Sequence, residues 1–378
     1  PKSARELLVG AVAEDPDDLA SRLMLLSLPP QDGSGPSQQD LVDQIRRIEG
    51  EGGLNWRLCQ ANIWLEQDDW AARRQQIEAL LNECLTRSPD WADAMAAQGR
   101  MLEKGGQVHL AISKYMQALD AEPQNVGLAR RVLVLAAQAG RWVEGDRASG
   151  MLPPDDPTVQ SYLIAQARRM GDLRRAEQLL EARVRAAPAD VRARLDLAAI
   201  KRGRNETAEA ERLLAEAAHV APDAFEVLAA RVDFHVARSQ FERALELCDR
   251  AIAAAPTARL HILRAGVHRA AGDWTLAEAD LRQAAGIGDG AEDAYVELGL
   301  LFFARGRVDQ ALAAWREGLS TLPRSFRLRY RIASVLLTAH GQDREAGARM
   351  LRELLAERPE EESLLLLRAD SLVGSDPS

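Results

Sequence analysis

Residues 292–325 read EDAYVELGLLFFARGRVDQALAAWREGLSTLPRS. Two apolar-patterned segments of about one helix each flank Gly306-Arg307-Val308, where a glycine supplies the left-handed residue that closes a helix. Pro323 then ends the second segment, because proline cannot continue a helix and pushes the residue before it out of the helical region. Gly299 and Ala311 are small residues, one on each segment, that let two helix backbones approach closely. The stretch predicts a helical hairpin 34 residues long.

The same ruler runs outward through the chain. Pro89, Pro123 and Pro157 are 34 residues apart, as are Pro188, Pro222 and Pro256, and Pro323 falls two periods less one residue beyond Pro256. Twelve residues before these prolines stand Ala111, Gly145, Ala176, Ala210, Ala244 and Ala311, and twelve before that come Gly99, Ala198 and Gly299. The turn chemistry recurs at Gly140-Arg141-Trp142, Gly171-Asp172-Leu173 and Gly272-Asp273-Trp274. Composition agrees with helix throughout: aromatics are 4%, and long Val/Ile/Thr alternations are missing.

Small residue, small residue, aromatic and proline in this order resemble the tetratricopeptide repeat. Residues 292–325 carry it best, with Gly299, Phe302, Gly306, Ala311, Trp315 and Pro323; 92–125, 191–224, 225–257 and 258–291 follow. The resemblance spans roughly residues 54–361, about nine hairpins, and implies an all-α, right-handed superhelix whose first helices line an inner face. Hairpins of this kind bury their apolar faces only by stacking on neighbours. Residues 1–53 read as degenerate repeats that begin half-way through a hairpin, with Ala4, Ala11 and Pro16 at second-helix offsets and a turn-rich loop at 29–37. Residues 362–378 read as a last helix and tail.

Departures from the pattern carry expectations of their own. Residues 54–91 hold four extra residues, about one further turn of their second helix. Met151-Leu152-Pro153-Pro154 stops a second helix early and predicts a hinge near 150–157. Gly286-Ile287-Gly288-Asp289-Gly290 follows a helix and stands where a repeat-ending proline is expected, so it reads as an inter-repeat turn; a phosphate loop needs a preceding strand.

Chemistry-bearing motifs are absent. The sequence has no HExxH, Cys/His cluster or Asp-rich calcium loop, and no catalytic, cofactor or metal residues are assigned. His261 and His268, seven apart on one first helix, fall at packing positions. Cys59, Cys84 and Cys248 form no CxxC and read as small buried hydrophobes. A net charge of −9 argues against a duplex nucleic-acid binder, and no apolar run is long enough to span a membrane. Of 48 basic residues only Lys2, Lys104, Lys114 and Lys201 are lysines, a bias that suggests a GC-rich, bacterial genome. The chain starts at Pro1 inside a helical pattern and is expected to be part of a longer protein, which leaves the compartment open between cytoplasm and periplasm.

The resemblance places ligands along the inner groove, on positions 2, 5, 9 and 12 of each first helix, which share one helical face. In this chain those positions hold Arg100, Arg130, Arg168, Arg192, Arg202, Arg259, Arg269 and Arg327, against the acids Asp93, Glu103, Glu226, Asp233 and Asp293. Arg168, Arg192, Arg202, Arg259 and Arg269 are the candidates for gripping an acidic segment, although an arginine-rich composition alone would also produce the excess. Near the C-terminus the positions turn apolar, at Val296, Leu300, Phe303, Tyr330 and Leu337; these either anchor a peptide or lie under the final helix. The family's carboxylate clamp is incomplete: Asn62 and Arg131 match it, whereas Leu58, Ala97 and Gly127 do not. The expected function is a protein-interaction scaffold with a protein or peptide partner. The alternative is the repeat arm of a larger glycosyl- or sulfotransferase, or of a polysaccharide-export assembly.

Overall fold

Six of the seven register prolines stand two residues beyond a helix end, where the chain must leave the helical region. The computed structural model describes residues 4–28, 35–288, 290–358 and 361–373. All regular structure among them is helical. The chain divides into two compact units, residues 1–183 and 184–378.

The first unit opens with α1 (Ala4–Glu14), α2 (Leu19–Ser27) and α3 (Gln38–Glu49). It continues with the hairpins α4 (Asn55–Glu66) and α5 (Arg74–Arg87), α6 (Ala92–Lys104) and α7 (Val108–Ala121), and α8 (Val126–Ala139) and α9 (Trp142–Ser149), and then α10 (Pro157–Arg169). The division between units falls inside α11 (Leu173–Ala186). The second unit holds α12 (Val191–Gly203) and α13 (Thr207–Val220), α14 (Phe225–Val236) and α15 (Phe241–Ala254), and α16 (Ala258–Ala271) and α17 (Trp274–Ala285). After these come α18 (Ala291–Ala304) and α19 (Val308–Thr321), α20 (Phe326–Leu336) and α21 (Gln342–Glu357), and α22 (Glu362–Val373). Within each unit helices pack on their neighbours in chain order, and first helices of successive hairpins also touch, as α4 does α6 and α14 does α16.

Small residues make the hairpins possible. A Cβ on Gly99 would lie 2.5 Å from the Tyr115 ring, and one on Gly299 would lie 2.0 Å from Trp315, so an aromatic of the second helix occupies the space the glycine leaves. Trp315 also donates from Nε1 to the Val296 carbonyl at 3.2 Å, which satisfies its buried N–H. The turn is as regular as the packing. Gly171, Gly272 and Gly306 have φ of 75°, 89° and 70°, and at the matching places between them Asn205 and Ser239 take φ of 61° and 54°. The repeat imposes the left-handed residue even where no glycine relieves it; asparagine tolerates it better than serine.

Two departures differ from the sequence reading. The four extra residues of 54–91 do not lengthen α5, which has the same 14 residues as α7; they form a 3-10 turn at Trp70–Arg73 in the connection. Pro157 does not end a helix but opens α10 at its first position, where a missing N–H costs nothing. The helix it should have ended, α9, has only 8 residues and stops at Ser149. Leu152 is buried in the space left over. Asp156 caps α10, accepting from the Thr158 N–H at 2.8 Å, and takes two further hydrogen bonds from Arg130 of α8 at 2.9 and 2.8 Å. In the run 286–290, Asp289 lies outside the described residues, as do residues 29–34 of the N-terminal loop.

Candidate functional site

In the second unit, Arg259, Ile262, Gly266 and Arg269 occupy one face of α16, and all four line a cavity of about 510 Å³. Ala229, Val232, Asp233 and Val236 of α14 form one wall, and Glu297 and Leu301 of α18 the other. The floor is apolar and the charges sit at the rim. Arg259 lays its guanidinium over the Phe225 ring, 4.1 Å from the centroid, and makes no ion pair among the described residues. Arg269 reaches Glu297 at 3.6 Å. The exposed Asp233 makes no ion pair among the described residues.

The five sequence-selected arginines do not behave alike. Arg168 belongs to the first unit, where it lines a separate hollow of about 600 Å³ with Gly140, Trp142 and Arg169. The other four belong to the second. Arg192 pairs with Asp196 of its own helix at 3.3 Å, whereas Arg202 is exposed at the end of α12 without an ion pair among the described residues. Position 2 of consecutive first helices alternates in sign along this unit: Arg192, Glu226, Arg259, Asp293 and Arg327. Arg327 is bonded to Asp293 across adjacent hairpins.

Of the apolar candidates, Phe303 is 46% exposed. Leu300 is half-buried against the core. Val296 is a correction: at 2% exposure it lies in the core beside Leu328 and Ile332 of α20, so Glu297 and Leu301 line the cavity in its place. Tyr330 and Leu337 pack in a cluster with Leu351 and Leu354 of α21 and Leu364 of α22.

The groove of the first unit is built differently. Cavities of about 490 and 470 Å³ share Glu66, Ala96 and Arg100. Arg100 donates to Asn62 Oδ1 at 2.7 Å and lies 3.7 Å from Glu66. Glu103 accepts from Tyr115 Oη at 2.8 Å and from Arg131 Nε at 3.1 Å. Asn62 and Arg131, the two residues matching the family's clamp, are thus both engaged within the chain.

Beneath the α16 face lies a polar knot that the sequence reading missed. Asp280 of α17, 4% exposed, accepts from Arg264 Nε at 2.9 Å and Nη2 at 2.5 Å, with His261 Nδ1 3.3 Å away. Arg264 also donates to Asp249 of α15 at 2.6 Å and so ties three helices together. The hydrogen bond to Asp280 raises the guanidinium pKa and holds the group charged. Asp280 was one of 57 acidic residues, and nothing in its spacing marked it as buried. His261 is buried and His268 half-buried. Among the described residues no group of three or more His, Cys, Asp or Glu side chains is arranged to hold a metal ion, and no helix is long and apolar enough to cross a membrane.

The family model described as tetratricopeptide repeat matches residues 200–259 and 230–292, which include most of the α14–α18 cavity. No curated protein matches the chain. Among solved structures the chain is similar to a tetratricopeptide repeat protein from Parabacteroides merdae, at 19% identity over 67% of this chain and 100% of that one, with a TM-score of 0.50. It is similar also to yeast Tom70, at 14% identity over 97% of this chain and 88% of that one, again with a TM-score of 0.50. The hairpin repeated in phase, the small residues seated under aromatics and the family model matched over residues 200–292 together show that the fold is built of tetratricopeptide-type helical hairpins.

Proposed function

We propose that the protein is an interaction scaffold that holds an acidic segment of a protein partner along the groove of its second unit. The observation that carries this reading is the state of Arg259, which lines the α14–α18 cavity, and of Arg202, exposed at the end of α12; neither has a carboxylate partner among the described residues. Arg269 adds a third guanidinium whose link to Glu297, at 3.6 Å and half exposed, a ligand can displace. Guanidinium groups grip carboxylates in a directed, two-point fashion, so the arrangement supplies orientation as well as charge. Arg192, engaged by Asp196, contributes less.

The test is reversal of Arg202, Arg259 and Arg269 to Glu in the intact chain, followed by affinity capture of the natural partner at low and high salt. The reversed protein is expected to fold normally and to lose capture, most at low salt. Equal capture by both proteins at every salt concentration defeats the proposal.

A further inference from the structure

Glycine inside a helix destabilises it relative to alanine and is retained where space or backbone access requires it. Gly99, Gly145, Gly299, Gly318 and Gly347 are explained by packing, since a Cβ on any of them would lie 2.9 Å or less from a neighbouring side chain. Gly266 is different, as are Gly10 and Gly203, but of these three Gly266 alone lines one of the cavities described above. It lies in the middle of α16, and a Cβ built there meets nothing within 4 Å. No packing in the chain requires a glycine at that position, and the space beside it is the floor of the α14–α18 cavity.

We infer that Gly266 is the seat for one bulky apolar side chain of the partner, set beside a carboxylate held by Arg259. This rests on the groove being the partner's site and names what the partner must bring to it. The surroundings fit: Ala229, Val232, Ile262 and Leu301 give an apolar lining, and about 510 Å³ accommodates an aromatic side chain with its adjoining backbone. The charges fit as well. Arg259, with no ion pair among the described residues, faces the ligand from the α16 rim, and Asp233 on the α14 wall disfavours a second carboxylate at that side.

The inference separates fold from function at one residue. Gly266→Ala raises the melting temperature, by about 2 °C, because it removes a helical glycine without a clash, and yet weakens binding because its methyl group enters the seat. The probes are three fluorescein-labelled peptides, Gly-Glu-Phe-Glu-Gly, Gly-Glu-Ala-Glu-Gly and Gly-Gln-Phe-Gln-Gly, titrated against the intact chain by fluorescence anisotropy at low salt. The Phe peptide is expected to bind roughly tenfold tighter than the Ala peptide. Gly266→Leu should abolish that preference, and Asp233→Asn should strengthen binding of the doubly acidic Phe peptide. Equal, salt-sensitive binding of the Phe and Ala peptides overturns the seat while leaving the basic groove standing. Equal binding of the Glu and Gln peptides overturns the carboxylate grip. No binding by any peptide overturns both the seat and the groove reading beneath it.

Discussion

The grooves of the two units are made from the same hairpin, and they differ in how many of their arginines are tied to a partner: the second unit has such ties at Arg269–Glu297 and Arg327–Asp293 but leaves others without one among the described residues. In the first unit, Arg100 with Asn62 and Arg131 with Glu103 tie residues of successive hairpins together, and Lys104 donates to the Leu65 carbonyl. In the second unit Arg259 rests on an aromatic ring, and Arg202 has no ion pair among the described residues. A hydrogen-bonded arginine inside a repeat stack contributes to the stack; one left beside an apolar floor is available to a ligand. Counting arginines along a groove therefore says little until their partners are known.

The comparison is broken most directly by removing a tie. Glu103→Ala strands the Tyr115 hydroxyl and the Arg131 guanidinium, and by the usual cost of an unsatisfied buried group it should lower stability by about 1–3 kcal/mol. The corresponding deletion in the second unit, Glu297→Ala, removes only a half-exposed contact at 3.6 Å and should cost less than about 1 kcal/mol. Urea denaturation of both variants measures the difference, and equal losses would show that the two grooves are alike.

Charge reversal sharpens it next. Arg100, Arg130 and Arg131 changed to Glu should lower the melting temperature of the chain, whereas the reversal at Arg202, Arg259 and Arg269 should leave it within about 2 °C of the wild type. Differential scanning calorimetry decides.

The smallest effect concerns the short α9. A hinge near 150–157 remains our proposal, and the Arg130–Asp156 link is what would hold it closed. The Arg130 guanidinium, with the help of the Thr158 N–H, holds the Asp156 carboxyl below its ordinary value of 3.8. A depressed folded-state pKa stabilises the fold fully above the unfolded value and loses that contribution as pH falls through the folded one. Amide exchange at 143–157 should thus be faster than at 205–255 and should accelerate further below about pH 4. Arg130→Ala should make the segment fast at every pH. Equal protection of the two segments would dispose of the hinge.

Much of the fold was legible because proline and glycine act locally. Pro89, Pro123, Pro188, Pro222, Pro256 and Pro323 each end a helix by their own geometry, and no distant residue is needed to interpret them. The left-handed turns at Asn205 and Ser239 were passed over in the sequence, because the turn was recognised there by its glycine. The site was less legible. The groove offsets led to Arg259 and Arg269, which line the cavity, but attention to charge passed over Ile262 and Gly266 on the same face. Val296 obeyed the offsets and was still buried, because a helical face is exposed only if nothing packs on it. Cross-hairpin ties such as Glu103 to Arg131 depend on side-chain reach across 28 residues, which periodicity does not encode.

The alternating signs of Arg192, Glu226, Arg259, Asp293 and Arg327 carry a consequence for how such an array can grow. Deleting one hairpin, for instance residues 225–257, would bring Arg192 beside Arg259, like against like, whereas deleting two would restore an arginine facing an acid. The array has a parity. Loss of a single hairpin along this stretch breaks the alternation of sign, whereas loss of two adjacent hairpins, residues 225–291, preserves it.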